Sequence, residues 1–383
     1  MMLSDEQLIK IRRHLHANPE IGMQEVKTHQ FLLEQIAKFP QENLTIETIS
    51  EIPTALLVRI AGSDPKRTIA LRTDMDALPI QEETGLDFAS KNDHVMHACG
   101  HDIHMTVALG ILSYFAEHQP KDNLLVFFQP AEENEFGGKR FYDAGGFQGE
   151  YLPDEFYALH VNPQLPAGQI ASRKGTLFAG SNELRISFIG KSGHAAYPQN
   201  AKDSIVAAAN FVTNVQTVVS RNVDPIEGGV VTIGKFNAGK AMNIIAGKAD
   251  IEGTIRSFTQ SGMEIMTKHI RMIAEGIAGA FGQELKINFR QGGYMPVVND
   301  ERTTNFFIDY MKNADGVDFK IVQPAMIAED FGFLSNQFEG TMCWLGVNDP
   351  KHSLHSDHLN PDESAITKGV EAIKGFLIAR MQK

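Results

Sequence analysis

Three short apolar runs in the first half of the chain each stop at polar residues capable of chemistry. That repetition limits the fold more than any other feature. "RTIALRTDMDALPI" is apolar until it reaches Arg72, Asp74 and Asp76; "NLLVFFQPAEEN" stops at Pro130, Glu132 and Glu133; "EFYALHVNP" stops at His160. Short, continuously apolar runs suit strands buried on both faces. Helical stretches separate them. "SDEQLIKIRRHLH" opens on Ser4 with Gln7 three residues on, a capping-box pattern, and then places Leu8, Ile11 and Leu15 at helical spacing. Further helices are expected near 24–38 and over 102–118. Strands alternating with helices predict an α/β domain with a mixed, largely parallel sheet. In open sheets of this kind ligands bind beyond the carboxyl ends of the strands, so the polar strand ends are expected to share one site.

At 383 residues the chain is longer than one core usually supports. Its middle reads differently from its start. "NELRISFIG" alternates, with Leu184, Ile186 and Phe188 on one face. A helix over about 203–221, the strands "GGVVTIGKF" and "KADIEGTIRSF", a helix over about 261–281 and the strand "ELKINFR" follow. The order β-α-β-β-α-β is the split, ferredoxin-like pattern. It predicts a domain at 180–290 inserted into the first, which then comprises 1–179 and 291–383. "MCWLGV" is expected to return a buried strand to the first domain, and "NPDESAITKGVEAIKGFLIARMQ" to close it with an amphipathic helix.

A net charge of −12 argues against nucleic acid and anionic membrane surfaces as partners. No apolar run approaches the roughly 20 residues needed to span a bilayer, and "MMLSDEQLIKIRRHLH" lacks the apolar core of a signal peptide. The two cysteines, Cys99 and Cys343, allow one bridge at most. A reducing cytoplasm is the expected setting.

The densest chemistry lies in "MHACGHDIHM", where Cys99 and His101 stand two apart in a glycine-containing turn before a helix. A thiolate and an imidazole at that spacing suit a borderline-soft divalent metal. The pair is also compatible with a small buried cysteine beside an ordinary histidine. Glu132 and Glu133 suit a division of labour, one carboxylate on a metal and its neighbour as general base. They equally suit a solvated helix start. His160 and the trio His352, His355 and His358 have similarly plain explanations as a strand-end residue and a polar loop. Together the Cys, His and Glu residues form an N, O and S donor set suited to two divalent ions and a bridging water.

"RRHLHANPE", "RTDMDALP", "MHACGHDIHMT", "FQPAEE", "ALHVNP", "GKSGHAAYP" and "LHSDHLNPDE" occur in the order seen in the aminoacylase–carboxypeptidase superfamily of metal amidohydrolases. The sequence most resembles the branch holding hippurate hydrolases, plant auxin–amino acid amidohydrolases and bacterial N-acetyldiaminopimelate deacetylases. The resemblance implies two divalent ions (Zn, Mn, Co or Ni) on Cys99, His101, Glu133, His160 and His355, with Glu132 as general base. Asp74 becomes an acid behind the metals, although Arg72 stands where other branches carry a ligating histidine. Asn134 replaces the usual glycine after the paired glutamates. The inserted domain becomes a lid that permits homodimerisation, with His194 reaching the substrate carbonyl in cis or in trans and Asn243 and Arg256 contacting substrate.

Within the branch, the wording of the motifs points to removal of acetate from N-acetyl-diaminopimelate, in the acetyl route to lysine. A hippurate-type or general N-acyl amino acid amidohydrolase is the alternative. Rivals from other classes are a metal-binding protein of the same fold without turnover and a thiol-redox role for Cys99. The first predicts a missing base or ligand, and the second a nearby resolving thiol.

Overall fold

A computed structural model describes residues 2–383. The chain divides into two compact units: Met1–Leu177 with Val297–Gln323 and Phe333–Lys383, and Phe178–Pro296 with Pro324–Gly332. The second unit is slightly longer than the 180–290 expected. It also recruits a later segment, Pro324–Gly332, that sequence periodicity does not mark.

The first unit is built on an eight-stranded mixed sheet. Its spatial order is Leu44–Ile49, Ile52–Ile60, Asn123–Gln129, Thr68–Asp74, Glu155–Asn162, Glu339–Gly346, Ile170–Ser172 and Phe319–Ile321. The central strands run parallel: Thr68–Asp74 pairs with Asn123–Gln129 on one side and Glu155–Asn162 on the other, and Glu155–Asn162 pairs with Glu339–Gly346. Antiparallel pairings involve Leu44–Ile49, Ile52–Ile60 and Ile170–Ser172. The central strands are buried along nearly their whole length, which explains their continuous apolar character.

Parallel register aligns the strand exits. Asp74 lies opposite Gln129, so the turns carrying Asp76 and Glu132 leave the same edge of the sheet. The helix His101–Glu117 is buried over most of its surface, and its apolar residues share one core with those of Asp5–Ala17 and Ser364–Met381. The capping box at Ser4 is formed, with Ser4 N–H donating to Gln7 and Gln7 N–H to Ser4 Oγ.

The second unit carries a four-stranded antiparallel sheet in the order Gly229–Ala238, Lys248–Ser257, Gly180–Ile189, Glu284–Arg290. Leu184, Ile186 and Phe188 are buried against residues of Ser204–Val215 and Gln260–Ala280, as the alternation requires. The single helix expected over 203–221 is two, Ser204–Val215 and Thr217–Asn222. Among the described residues no helix is long and apolar enough to cross a membrane, and Cys99 and Cys343 are both free and buried.

Candidate metal centre

The site grows from four turns at the carboxyl edge of the first unit's sheet. Cys99 and His101 flank Gly100, which caps the helix His101–Glu117 with a left-handed φ of 79°. A Cβ there would lie 2.5 Å from Val161 Cγ2, so glycine is required by both backbone conformation and space. The helix therefore begins hard against the strand that carries His160. Glu132 and Glu133 follow Ala131, a non-glycine residue at φ 54°, and His355 itself sits at φ 67°. Left-handed backbone at such residues is costly and gathers at functional sites.

Two of the three imidazoles, His101 and His160, are oriented by their second nitrogen. His101 donates from Nδ1 to the Asp76 carbonyl at 2.8 Å, and its buried Nε2 has no hydrogen-bond partner. His160 donates from Nδ1 to the Val161 carbonyl at 2.9 Å, and its Nε2 faces Cys99 Sγ at 3.4 Å. His355 Nε2 lies 3.5 Å from Glu133 Oε1, and His101 Nε2 lies 3.9 Å from the same oxygen. That oxygen is also buried without a hydrogen-bond partner. Nitrogens and oxygens left bare in this way are expensive unless a ligand completes them.

The donor atoms fall into overlapping groups. Cys99, His101 and His160 offer ligand atoms all within 4.8 Å of one another, as do Cys99, Glu133 and His355, and also His101, Glu132 and Glu133. Two triads thus share the Cys99 thiol. Thiolate, imidazole and carboxylate suit divalent ions of the zinc type, and fixing a histidine through its other nitrogen is the usual support for a metal ligand.

Electrostatics agree. Burial, then the Glu133, Glu132 and Asp74 charges, push the Cys99 thiol well above its ordinary value. Burial alone would lower His101, but Asp74, Asp76 and Glu133 raise it to about 10. For Asp74 burial opposes ionisation, yet His101, His104 and Arg72 hold it well below the usual carboxylate range. The pocket carries more negative than positive charge and draws a cation, either a proton on His101 or a metal in its place. The residues fit a pair of divalent ions.

Asp74 is wholly buried, 2.6 Å from Arg72 Nη1 and 3.5 Å from His101 Nε2. Arg72 neutralises this buried acid behind the candidate ligands. Sequence reasoning gave His104 and Asp76 no role. His104 Nδ1 meets Asp74 Oδ1 at 2.5 Å, and Asp76 Oδ2 accepts the Glu133 amide at 2.9 Å. Arg12 and His16, both in "RRHLHANPE", converge on buried Asp102, each with a nitrogen 2.9 Å from Oδ2. They tie the first helix to the helix that carries His101. For Asp102 and His104 a signal was present, as polar residues opening an otherwise apolar helix; Arg12 and His16 lie in a mostly polar helix that carried none.

The remaining expected residues belong to the second unit. His194 and Asn243 are brought together: Gly193–His194 pairs with Ile244–Ile245, and Ala195 N–H donates to the Asn243 carbonyl at 3.1 Å. Ala196 N–H donates to His194 Nδ1 at 3.1 Å, which places the ring proton of the neutral side chain on Nε2. Arg256 is elsewhere. Its strand pairs Lys248 with Ile189 and Arg256 with Ser181, so eight residues of extended chain, about 26 Å, separate Arg256 from the end near His194. Arg256 Nη1 donates to Thr254 Oγ1 at 2.7 Å and also to Ser181 Oγ.

Residues 70–379 match the family described as Peptidase family M20/M25/M40. N-acetyldiaminopimelate deacetylase of Lactobacillus acidophilus is 57% identical over 380 residues, covering 99% of both chains. That of Limosilactobacillus reuteri is 55% identical over 381 residues, covering 100% of both. Among solved structures, Bacillus subtilis YXEP, described as a dinuclear metal binding peptidase from the M20 family, superposes with a TM-score of 0.85 at 29% identity, over 99% of this chain and 98% of that one.

Proposed function

Because this chain belongs to peptidase family M20/M25/M40, we propose that its metal centre hydrolyses the amide of N-acetyl-diaminopimelate, releasing acetate and diaminopimelate. The observation that carries the reaction class is the buried Glu132 beside two donor triads that share the Cys99 thiol. The choice of substrate is supported by the chain-long identity to the deacetylases. The reaction belongs to diaminopimelate and lysine biosynthesis.

Cys99, His101, Glu133, His160 and His355 would hold two divalent ions. When bound, such ions polarise the acyl oxygen and lower the pKa of water. Glu132 takes a proton from the attacking water. The water oxygen bonds to the acetyl carbon, the C–N bond breaks, and Glu132 returns the proton to the departing nitrogen. Acid–base transfer of this kind contributes about 10²–10⁴-fold in rate. Asp74, paired with the Arg72 guanidinium at 2.6 Å and hydrogen-bonded by His104, sits as a carboxylate behind the proposed ligands.

His194, with its proton on Nε2, is a donor suited to the developing oxyanion; Asn243 stands beside it. Arg256, about 26 Å from that end of the unit, supplies a fork suited to a carboxylate of the substrate; it meets the same molecule as His194 only when the two come from different copies of a homodimer. Homodimerisation through the second unit's sheet is part of the same proposal. Its edge strand Gly229–Ala238 exposes Val230 and Phe236. A cytoplasmic setting is supported by two unbridged cysteines.

The deciding experiment strips metal with chelator, restores Zn, Mn or Co, and follows acid release from N-acetyl-diaminopimelate, N-acetyl amino acids and hippurate in parallel. Metal-restored activity greatest on N-acetyl-diaminopimelate is the expected result. Preference for another amide would retire the substrate, and metal-independent or absent turnover would retire the reaction.

A further inference from the structure

Glu25 lies far from every motif ligand in sequence, on the segment "PEIGMQE" before the helix Val26–Ile36, and is wholly buried. Its Oε1 accepts the Ala131 amide at 2.8 Å. Ala131 is the left-handed residue from which Glu132 and Glu133 emerge. Its carbonyl in turn accepts the Gly137 amide at 3.1 Å, closing the turn around the two carboxylates.

The segment is seated on that turn. A Cβ on Gly22 would lie 3.0 Å from Ala131 Cα and 2.6 Å from Asn134 Oδ1. The same segment is tied to the neighbouring strand exit, where Ala77 N–H donates to the Glu20 carbonyl at 2.8 Å and Ile21 bridges Ala77. Asp76, next to Ala77, takes the Glu133 amide. One loop therefore braces both turns that orient Glu133.

We propose that Glu25 is a positioning residue: by accepting the Ala131 amide it holds the strained turn that presents Glu132 to the reacting water and Glu133 to the metal. An uncapped buried amide at a left-handed alanine would let the turn relax toward ordinary backbone, swinging both carboxylates together. What the turn needs is an acceptor at this distance, and a negative charge is secondary. Burial and the neighbouring Asp76 push the Glu25 carboxyl up to about 7, so the site already disfavours the ionised form.

The proposal rests on the roles given above to Glu132 and Glu133, and its test separates the two. Titration calorimetry of Zn into the chelator-stripped full chain needs no substrate, so it stands whichever acyl compound is hydrolysed. Glu25→Gln keeps an oxygen acceptor and is expected to stay within about threefold of the parent in metal affinity and kcat. Glu25→Asp withdraws the acceptor by one methylene and is expected to lose about 10–100-fold in metal affinity, the range for groups that support metal ligands. Its kcat should fall by a similar factor, with KM changed less than about threefold. Parental affinity in Glu25→Asp, or an equal loss in Glu25→Gln, would overturn the proposal. Should Glu25→Asp fail to fold by circular dichroism, Glu25→Met, of similar length but a poor acceptor, takes its place. A tenfold weaker metal affinity in that variant supports the role, and parental affinity overturns it.

Discussion

His104 meets Asp74 at 2.5 Å through Nδ1 and accepts the Val161 amide on Nε2 at 2.9 Å. With Nε2 accepting, Nδ1 is the nitrogen that donates, and both are committed. His104 is close enough to Asp74 and His101 to count as a metal donor by distance alone. It has no lone pair left to give. Its work is to hold Asp74 and to join the His101–Glu117 helix to the strand bearing His160. Replacing His104 by Ala should weaken metal binding about 10–100-fold while leaving all five proposed ligands present. Calorimetry of the stripped protein measures this; unchanged affinity would remove His104 from the site.

Glu132→Gln should retain metal at parental stoichiometry and lose about 10²–10⁴-fold in kcat. Metal content by elemental analysis and acetate release on one preparation separate the two effects. Parental turnover would assign the base elsewhere.

Metal should stabilise the fold as well as serve the reaction. An ion present at about 100 times its dissociation constant adds roughly 2.7 kcal/mol to the folded state. Chelation should therefore lower the melting temperature, and adding the ion back should restore it. The Cys99→Ser variant should show a much smaller response, because the shared thiolate of both triads is gone.

Gly100→Ala is predicted to destabilise the protein by about 1–2 kcal/mol from its left-handed backbone alone, with a further cost from the approach to Val161. Denaturant unfolding gives the figure. Metal affinity should fall in parallel, since Cys99 and His101 flank the displaced residue.

Away from the site, Glu155 accepts from Arg380 Nε at 2.8 Å, Arg302 Nη2 at 3.0 Å and Tyr157 Oη at 2.7 Å. Burial opposes its ionisation, but Arg380, Tyr157 and Arg302 hold its carboxyl below the ordinary glutamate value. A carboxyl lowered on folding contributes its stability at pH above the unfolded value of about 4.3 and gives it up as pH falls through the lowered folded value. Glu155→Gln should therefore lower stability by about 3 kcal/mol at pH 7 and flatten the loss below about pH 4.3. Urea melts across that range test it; parallel curves for parent and variant would refute it.

Much of this protein can be read directly along the chain. Continuous apolar runs fall on buried central strands, alternation in "NELRISFIG" falls on a sheet with one covered face, and the polar residues that end the central strands lie at the sheet's carboxyl edge. These are local facts: side-chain period and donor chemistry depend on neighbours a few residues away. The bracing of the site is different. Glu25 and Ala131 are 106 residues apart, and His104 and Val161 57. Nothing in either segment names the other. Parallel register sets Asp74 opposite Gln129, and a glycine lets the His101 helix start against Val161. Those two packing events decide which buried polar group completes which amide or imidazole. The candidate donors stood out because metal chemistry restricts residue type, and the resemblance chose the proposed ligands among them. Their supports did not stand out, because any acceptor at the right place in space would serve, and only the folded chain sets that place.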